Sequence, residues 1–187
     1  RLNICDAEIH VRQHGGRRFD LNGLKLAVQF GDSLDFAVVA PKLFDSTWTF
    51  QGELHRETFA GSATLAAKAI RLSADDIRQL PLVTNVAEIP PGSEVTAAMS
   101  LTLKLPENIV DVYDCAADLR LEFLSLDVPV SGIQAATGKM RVTQQSGRIG
   151  VHADGSILGG RVSIDGDVDV RAETPGGKLT WTAQDIE

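Results

Sequence analysis

Apolar residues in this chain recur at every second position, not at the 3.6-residue period of a helix. Val95, Ala97, Met99, Leu101, Leu103 and Leu105 share one parity. Cys115, Ala117, Leu119, Leu121 and Phe123 do the same, and so do Leu24, Leu26, Val28 and Phe30. Side chains alternate across a β-strand, so each run has one apolar and one polar face. Stacked side by side, such strands make a sheet with one continuous apolar surface. That surface has two structural outcomes: the interior of a closed β-sandwich, or an open or curled sheet whose inner face solvates acyl chains. Aromatic residues are only 5% of the chain. Leu, Val, Ile and Ala fill most inward positions, which suits an elongated or hollow structure better than a dense globule.

Read along the chain, strands are expected over Leu2–Arg12, Phe19–Phe30 and Leu34–Ala40, the last stopped by Pro41. The first of them changes apolar parity between Ile4 and Cys5, the mark of a bulge. His14-Gly15-Gly16 and Gly31-Asp32-Ser33 read as turns. A strand holding Trp48, Phe50 and Leu54 comes next. Phe59–Leu72 alternates less cleanly, as a strand covered on both faces or bending at Gly61 would. Ser73-Ala74-Asp75-Asp76 places an N-cap and first-turn acids ahead of one short helix over about residues 74–80, stopped by Pro81. Pro90-Pro91-Gly92 turns the chain back into β-sequence. Strands then read over Val95–Leu105, Val110–Phe123, Leu126–Val130, Gly138–Thr143, Arg148–Ala153, Arg161–Ile164, Asp167–Ala172 and Leu179–Trp181. Turns read at Gln145-Ser146-Gly147, Asp165-Gly166 and Pro175-Gly176-Gly177. The expected fold is therefore mostly β: a large antiparallel curled sheet or groove, taco- or jelly-roll-like, with one short helix.

The 187 residues suit a single module, 1–187. The net charge of −7 argues against nucleic acid and against electrostatic docking on anionic headgroups. No apolar run approaches the ~18 residues of a membrane span, and no signal-peptide pattern appears. Strand-like sequence at both ends, with no initial Met, reads as a segment excised from a longer repetitive chain. On this reading targeting and membrane-contacting segments lie outside it. Cys5 and Cys115 sit at apolar-parity positions and are expected as buried thiols, with a bridge between them left open.

No residue set points to catalysis or to a cofactor. His10, His14, His55 and His152 lack metal-ligand spacing. Asp165, Asp167 and Asp169 resemble the start of a calcium loop, but alternate strand positions set all three on one solvated sheet face. Gly159-Gly160 and Gly176-Gly177 open no helix and carry no phosphate-loop Lys. There is no G-x-S-x-G elbow, and no acid pair has an apolar pocket to split its pKa values.

Two stretches carry a family resemblance. Leu119–Gly138 reads LRLEFLSLDVPVSGIQAATG, and Gly147–Gly166 reads GRIGVHADGSILGGRVSIDG. A strand, a short connection to a Gly-ended segment, a further strand, then a Leu158-Gly159-Gly160 turn and a strand ending at Gly166 resemble the C-terminal region of the AsmA-like superfamily, the group of AsmA, TamB and YhdP. Leu2–Val11 (LNICDAEIHV) resembles its recurring strand entry, and Ile70–Asp76 (IRLSADD) is compatible. The resemblance implies a non-enzymatic envelope protein, anchored in the inner membrane and reaching across the periplasm. A β-groove in it conducts phospholipid toward the outer membrane, with other envelope proteins as partners. It offers no catalytic residue to carry over. Its functional surface maps here to Leu24, Leu26, Val28, Phe30, Val95, Ala97, Met99, Leu101, Leu103, Ala117, Leu119, Leu121 and Phe123. The alternative expectation is a closed β-sandwich that acts as a spacer or contacts a protein or glycan at the cell surface.

Overall fold

The computed structural model describes residues 1–12, 18–79, 90–109, 111–129, 132–172 and 176–186. Its strands are β1 (Leu2–Arg12), β2 (Arg18–Phe30), β3 (Ser33–Leu43), β4 (Ser46–His55), β5 (Gly61–Ser73) and β6 (Glu94–Leu105). They continue as β7 (Ala116–Val128), β8 (Ile133–Gln145), β9 (Arg148–Ile157), β10 (Gly160–Asp169) and β11 (Gly176–Gln184). Every strand pairs antiparallel with its neighbours in sequence, giving one eleven-stranded sheet in the order β1 to β11 that is not closed. It is a meander without crossovers. The helix α1 (Ala74–Gln79) lies between β5 and β6, and a 3₁₀ turn (Val112–Asp114) precedes β7.

Local chemistry accounts for the turns and the helix. Phe44-Asp45, Ser146-Gly147 and Leu158-Gly159 all have positive φ at both positions. This is the type I′ geometry, whose twist matches that of the flanking strands. Ser73 caps α1: the Asp76 amide donates to Ser73 Oγ at 3.2 Å. In return the Ser73 amide and hydroxyl donate to the Asp76 carboxylate at 2.8 and 2.6 Å. The result is a capping box with Asp as its acid.

Parity breaks in the sequence coincide with bulges. The β1–β2 register shifts between Ile4 and Ala7 and again before Ile9, and Asp6 has φ 62°. On β5 the shift falls between Ala67 and Ile70, with Ala69 at φ 52°. On β7 and β8 it falls between Phe123 and Leu126 and around Ala135, at φ 49°. A bulge adds one residue to one strand, so apolar residues on both sides of it stay on one face despite changing parity. This explains the poor alternation of Phe59–Leu72.

Several boundaries differ from the sequence reading. Pro41 does not end its strand. β3 runs on to Leu43, with a register shift between Ala40 and Leu43 that accommodates the missing donor. Asp165-Gly166 is no turn: both lie inside β10, and Gly166 pairs with Val151 and Leu179. A Cβ on Gly166 would stand 2.8 Å from Leu179 Cδ1, so the leucine occupies that space. The strands expected over Val110–Phe123 and Leu126–Val130 resolve, over residues 111–128, into the 3₁₀ turn and a single bulged β7, and Val110 and Val130 lie outside the described residues. Gly176-Gly177 belongs to β11. Cys5, next to Ile4 and so on the other side of β1, is exposed; Cys115 is half-buried; and both are free thiols, set on β1 and just before the start of β7, six strands apart in the sheet. The expected turn at His14-Gly15-Gly16, and Leu80-Pro81, lie outside the described residues.

Burial is shallow. Among the described residues no large side chain is fully enclosed, and the best-buried apolar residues are mostly alanines: Ala63, Ala67, Ala97 and Ala136 beside Leu24 and Ile70. The chain exposes 12576 Å², whereas a globular monomer of its 20.1 kDa would expose about 8,700 Å². Each strand packs substantially only on its immediate neighbours.

Packing within the sheet is nonetheless specific. Phe36 lies over Gly52, its register partner, and its ring sits 5.0 Å from that of Phe50. A Cβ on Gly52 would meet Phe36 Cζ at 2.7 Å and Ala63 Cα at 2.9 Å. Gly52→Val should therefore lower stability by about 1–3 kcal/mol through overpacking, read as a lower urea midpoint. An unchanged midpoint would mean that both the ring and the β5 backbone at Ser62–Ala63 yield at no cost.

Candidate functional site

The register joins the apolar positions of all eleven strands into continuous rows. One row runs Ile4, Leu26, Val38, Phe50, Leu65, Leu101 from β1 to β6. It continues through Leu119, Val142, Val151, Gly166 and Leu179 on β7 to β11. Beside it, Trp48, Ala67, Met99, Leu121, Met140, Ala153, Ile164 and Trp181 form the next row across β4 to β11. Directly opposed residues on adjacent strands share a face, so these rows are one surface.

All the sequence-assigned residues fall on it: Leu24, Leu26, Val28 and Phe30 on β2; Val95, Ala97, Met99, Leu101 and Leu103 on β6; Ala117, Leu119, Leu121 and Phe123 on β7. Leu24 and Ala97 are buried, Phe30 is exposed, and the other ten are half-buried. Sequence reasoning left out the contributions of β3 to β5 and β8 to β11, although Val38, Phe50, Leu65, Val142 and Ile164 carry the same alternation. Their runs are shorter, or broken by Gly138, Gly155 and Gly166. Polar atoms on this face are satisfied from within: Trp48 Nε1 donates to the Leu43 carbonyl at 2.9 Å, and Gln144 Nε2 to the Tyr113 carbonyl at 3.1 Å.

The opposite face is ionic. Asp118 accepts paired hydrogen bonds from Arg141, at 3.0 and 2.9 Å, and from Arg120, at 3.4 and 2.9 Å. Arg120 and Arg141 are direct cross-strand partners, so Asp118 offsets a like-charge contact. Donation by Arg141, then by Arg120, lowers the Asp118 pKa to about 2. His152 lies 2.5 Å from Asp165 on the neighbouring strand, which raises its pKa. The Ala135 amide and then the Ser125 hydroxyl hold Asp127 below the ordinary carboxylate range. Asp165, Asp167 and Asp169 alternate along β10 on this same side, apart from one another.

Long polar side chains leave troughs between their rows. One of 760 Å³ is lined by Glu122, Lys139, Asp154, Arg161 and Thr182. Another, of 570 Å³, is lined by Ala66, Ser100, Arg120 and Arg141. The second hollow is also lined by Met99, Leu121 and Met140 of the apolar rows, and the apolar side is a broad, partly exposed surface. Among the described residues no cluster of three or more His, Cys, Asp or Glu is arranged to hold a metal ion, and no helix is long and apolar enough to cross a membrane. Compared with known proteins, the chain matches no family model, no curated protein and no solved structure.

The Asp118 pair sets a pH dependence. Its carboxyl is more acidic folded than unfolded, so its contribution is present above the ordinary value near ~4. That contribution is lost as pH falls through about 2. The melting temperature should drop between pH 4 and pH 2. Asp118→Asn should remove that part of the drop and, at neutral pH, cost about 1 kcal/mol, as expected for a screened surface pair. Identical acid profiles for the two proteins would contradict this assignment. By the same geometry Asp165→Asn should move the His152 pKa back toward the ordinary histidine value, followed by NMR titration.

Proposed function

We propose that this chain is a lipid-handling segment whose apolar sheet face shields acyl chains from water. The observation that carries this reading is the apolar face that runs across eleven strands and is partly exposed at most positions, with no second layer over it among the described residues. Each methylene laid on such a face and withdrawn from water contributes about 0.8 kcal/mol. An acyl chain spans half of a hydrocarbon core roughly 30 Å thick. It therefore covers about three strand spacings of ~4.8 Å. A lining of Leu, Val, Ile, Ala and Met without fixed polar anchors offers similar affinity at successive positions, which suits movement better than capture. Together with the AsmA-like resemblance, the reading is a non-enzymatic segment of a periplasmic envelope protein, anchored in the inner membrane through segments outside this chain. Its cargo would be phospholipid in transit between the inner and outer membranes.

The sandwich alternative is less well supported. A closed sandwich removes its inward leucines from solvent, whereas Met99, Leu101, Leu119 and Leu121 keep partial exposure. A glycan platform would need clustered aromatics. Trp48 on β4 and Trp181 on β11 stand seven strands apart, about 34 Å at ~4.8 Å per strand.

The test is native mass spectrometry with lipid extraction, after expression in a bacterial periplasm. The wild-type chain should carry phospholipid, and Leu101→Asp should lose most of it. The substitution should also cost less stability than the several kcal/mol expected for a charge placed in a closed core, because Leu101 is only partly buried. A lipid-free wild-type chain with a cooperative melt would overturn the reading.

A further inference from the structure

Arg120 and Arg141 are direct cross-strand partners, and their guanidinium groups meet at one carboxylate. Asp118 Oδ1 accepts from Nε of each, and Oδ2 accepts from Nη2 of each. A single negative charge therefore orders two positive ones and neutralises only half of them. A guanidinium presents its N–H donors in a planar fork that is larger than one carboxylate needs. Among the described residues no other acceptor takes a hydrogen bond from either arginine, so Nη1 of both is left for a second anion. The two side chains are 65% and 54% exposed. Two forks fixed side by side with donors to spare make a preorganised clamp for a carboxylate or a phosphate, the groups whose geometry they match.

The 570 Å³ trough beside these arginines has the size of a small-molecule site, which runs from about 300 to 1,000 Å³. Two rows of the register build it. Ala66, Ser100, Arg120, Arg141 and His152 form one, and Ala98, Glu122, Lys139 and Asp154 form the other. The rows change character along their length. On β5 and β6 they consist of two alanines and a serine, so no long side chain fills the space there, and Met99, Leu121 and Met140 add apolar lining. On β7 and β8 they carry the arginines and Lys139. Lys68, which lies in the β5 bulge, also lines the trough and is exposed. Lys68, Arg120, Lys139 and Arg141 outnumber Glu122 and Asp154, and still do so when Asp118 is counted, although the whole chain has a net charge of −7. A short apolar floor beside a cationic clamp suits a ligand with one apolar and one anionic end.

We propose that this trough binds a single small amphiphilic anion, its carboxylate or phosphate group on Arg120 and Arg141 and its apolar body over Ala66 and Ala98. The site is built from β5 to β9, away from both edges of the sheet, and it stands independently of the lipid-handling reading of the opposite face. A bilayer fits it poorly, because Glu122 and Asp154 are exposed beside the clamp and would meet an anionic surface. Ala66 lies two strand spacings from Arg120, about 10 Å, so octyl phosphate is a suitable probe. Isothermal titration of the whole chain with monomeric octyl phosphate should show a saturable component about tenfold or more tighter than inorganic phosphate, because the apolar body leaves water. Arg120→Gln and Arg141→Gln should each weaken that component about tenfold or more. Ala66→Leu, which fills the floor, should weaken octyl phosphate and leave inorganic phosphate unchanged. Leu101→Asp, on the opposite face, should keep the Arg141-dependent component. No saturable binding, or equal affinity for the two probes, would overturn the proposal. Octyl phosphate binding abolished by Leu101→Asp but untouched by Arg141→Gln would move the ligand to the acyl-shielding face and overturn it too. Flotation with phosphatidic acid vesicles that depends on Arg141 would put a bilayer in place of the single molecule and overturn it equally.

Discussion

Antiparallel register is the constraint on which the rest of this molecule depends. In a strand every side chain's face follows from its position modulo two, so a slip of one residue would turn an apolar row to the opposite side. The sheet preserves its two faces over eleven strands because each local change of parity is absorbed by a bulge. On β5 the apolar positions change from Ala63, Leu65 and Ala67 to Ile70 and Leu72, and the register shift falls between Ala67 and Ile70. On β7 they change from Phe123 to Leu126, again at a shift. Positive φ at Asp6, Ala69 and Ala135 is the backbone cost of keeping the faces separate.

A single layer has an energetic consequence. Among the described residues, most apolar side chains on this face are sheltered by their cross-strand and diagonal neighbours and stay partly exposed, while Leu24, Ala67 and Ile70 are buried. The shelter is thus partial, and it is least at Leu179 and Trp181, which are 66% and 69% exposed. The aromatic pair Phe36–Phe50 over Gly52 is among the tighter contacts. The remaining apolar area is available to whatever covers the face, and that covering would stabilise the sheet by linkage.

The polar face works by pairing charges across strands. Lys139 faces Glu122 at 3.4 Å, Asp118 bridges two opposed arginines, and His152 meets Asp165. These exposed contacts each contribute little energy. They do oppose register slips, because a shifted strand would set like charges together. The same face keeps one side of a wide sheet wet while the other stays apolar.

Much of this was legible in residue types alone. Alternation in Leu24–Phe30, Val95–Leu105 and Ala117–Phe123 determined strands and one apolar side, and Ser73 with Asp76 determined a capped helix, because these are short-range properties of neighbouring residues. Asp165-Gly166 and Pro41 misled, since their turn and breaker chemistry yields to the ladders of β9 to β11 and to a bulge in β3. Alternation also has the same form whether an apolar face is enclosed or open, so the sequence left that choice undecided. Only the tertiary arrangement decided it. Among the described residues, a meander whose strands pack substantially only on their neighbours brings no second sheet over the first, and enclosure depends on contacts between distant segments that alternation does not encode.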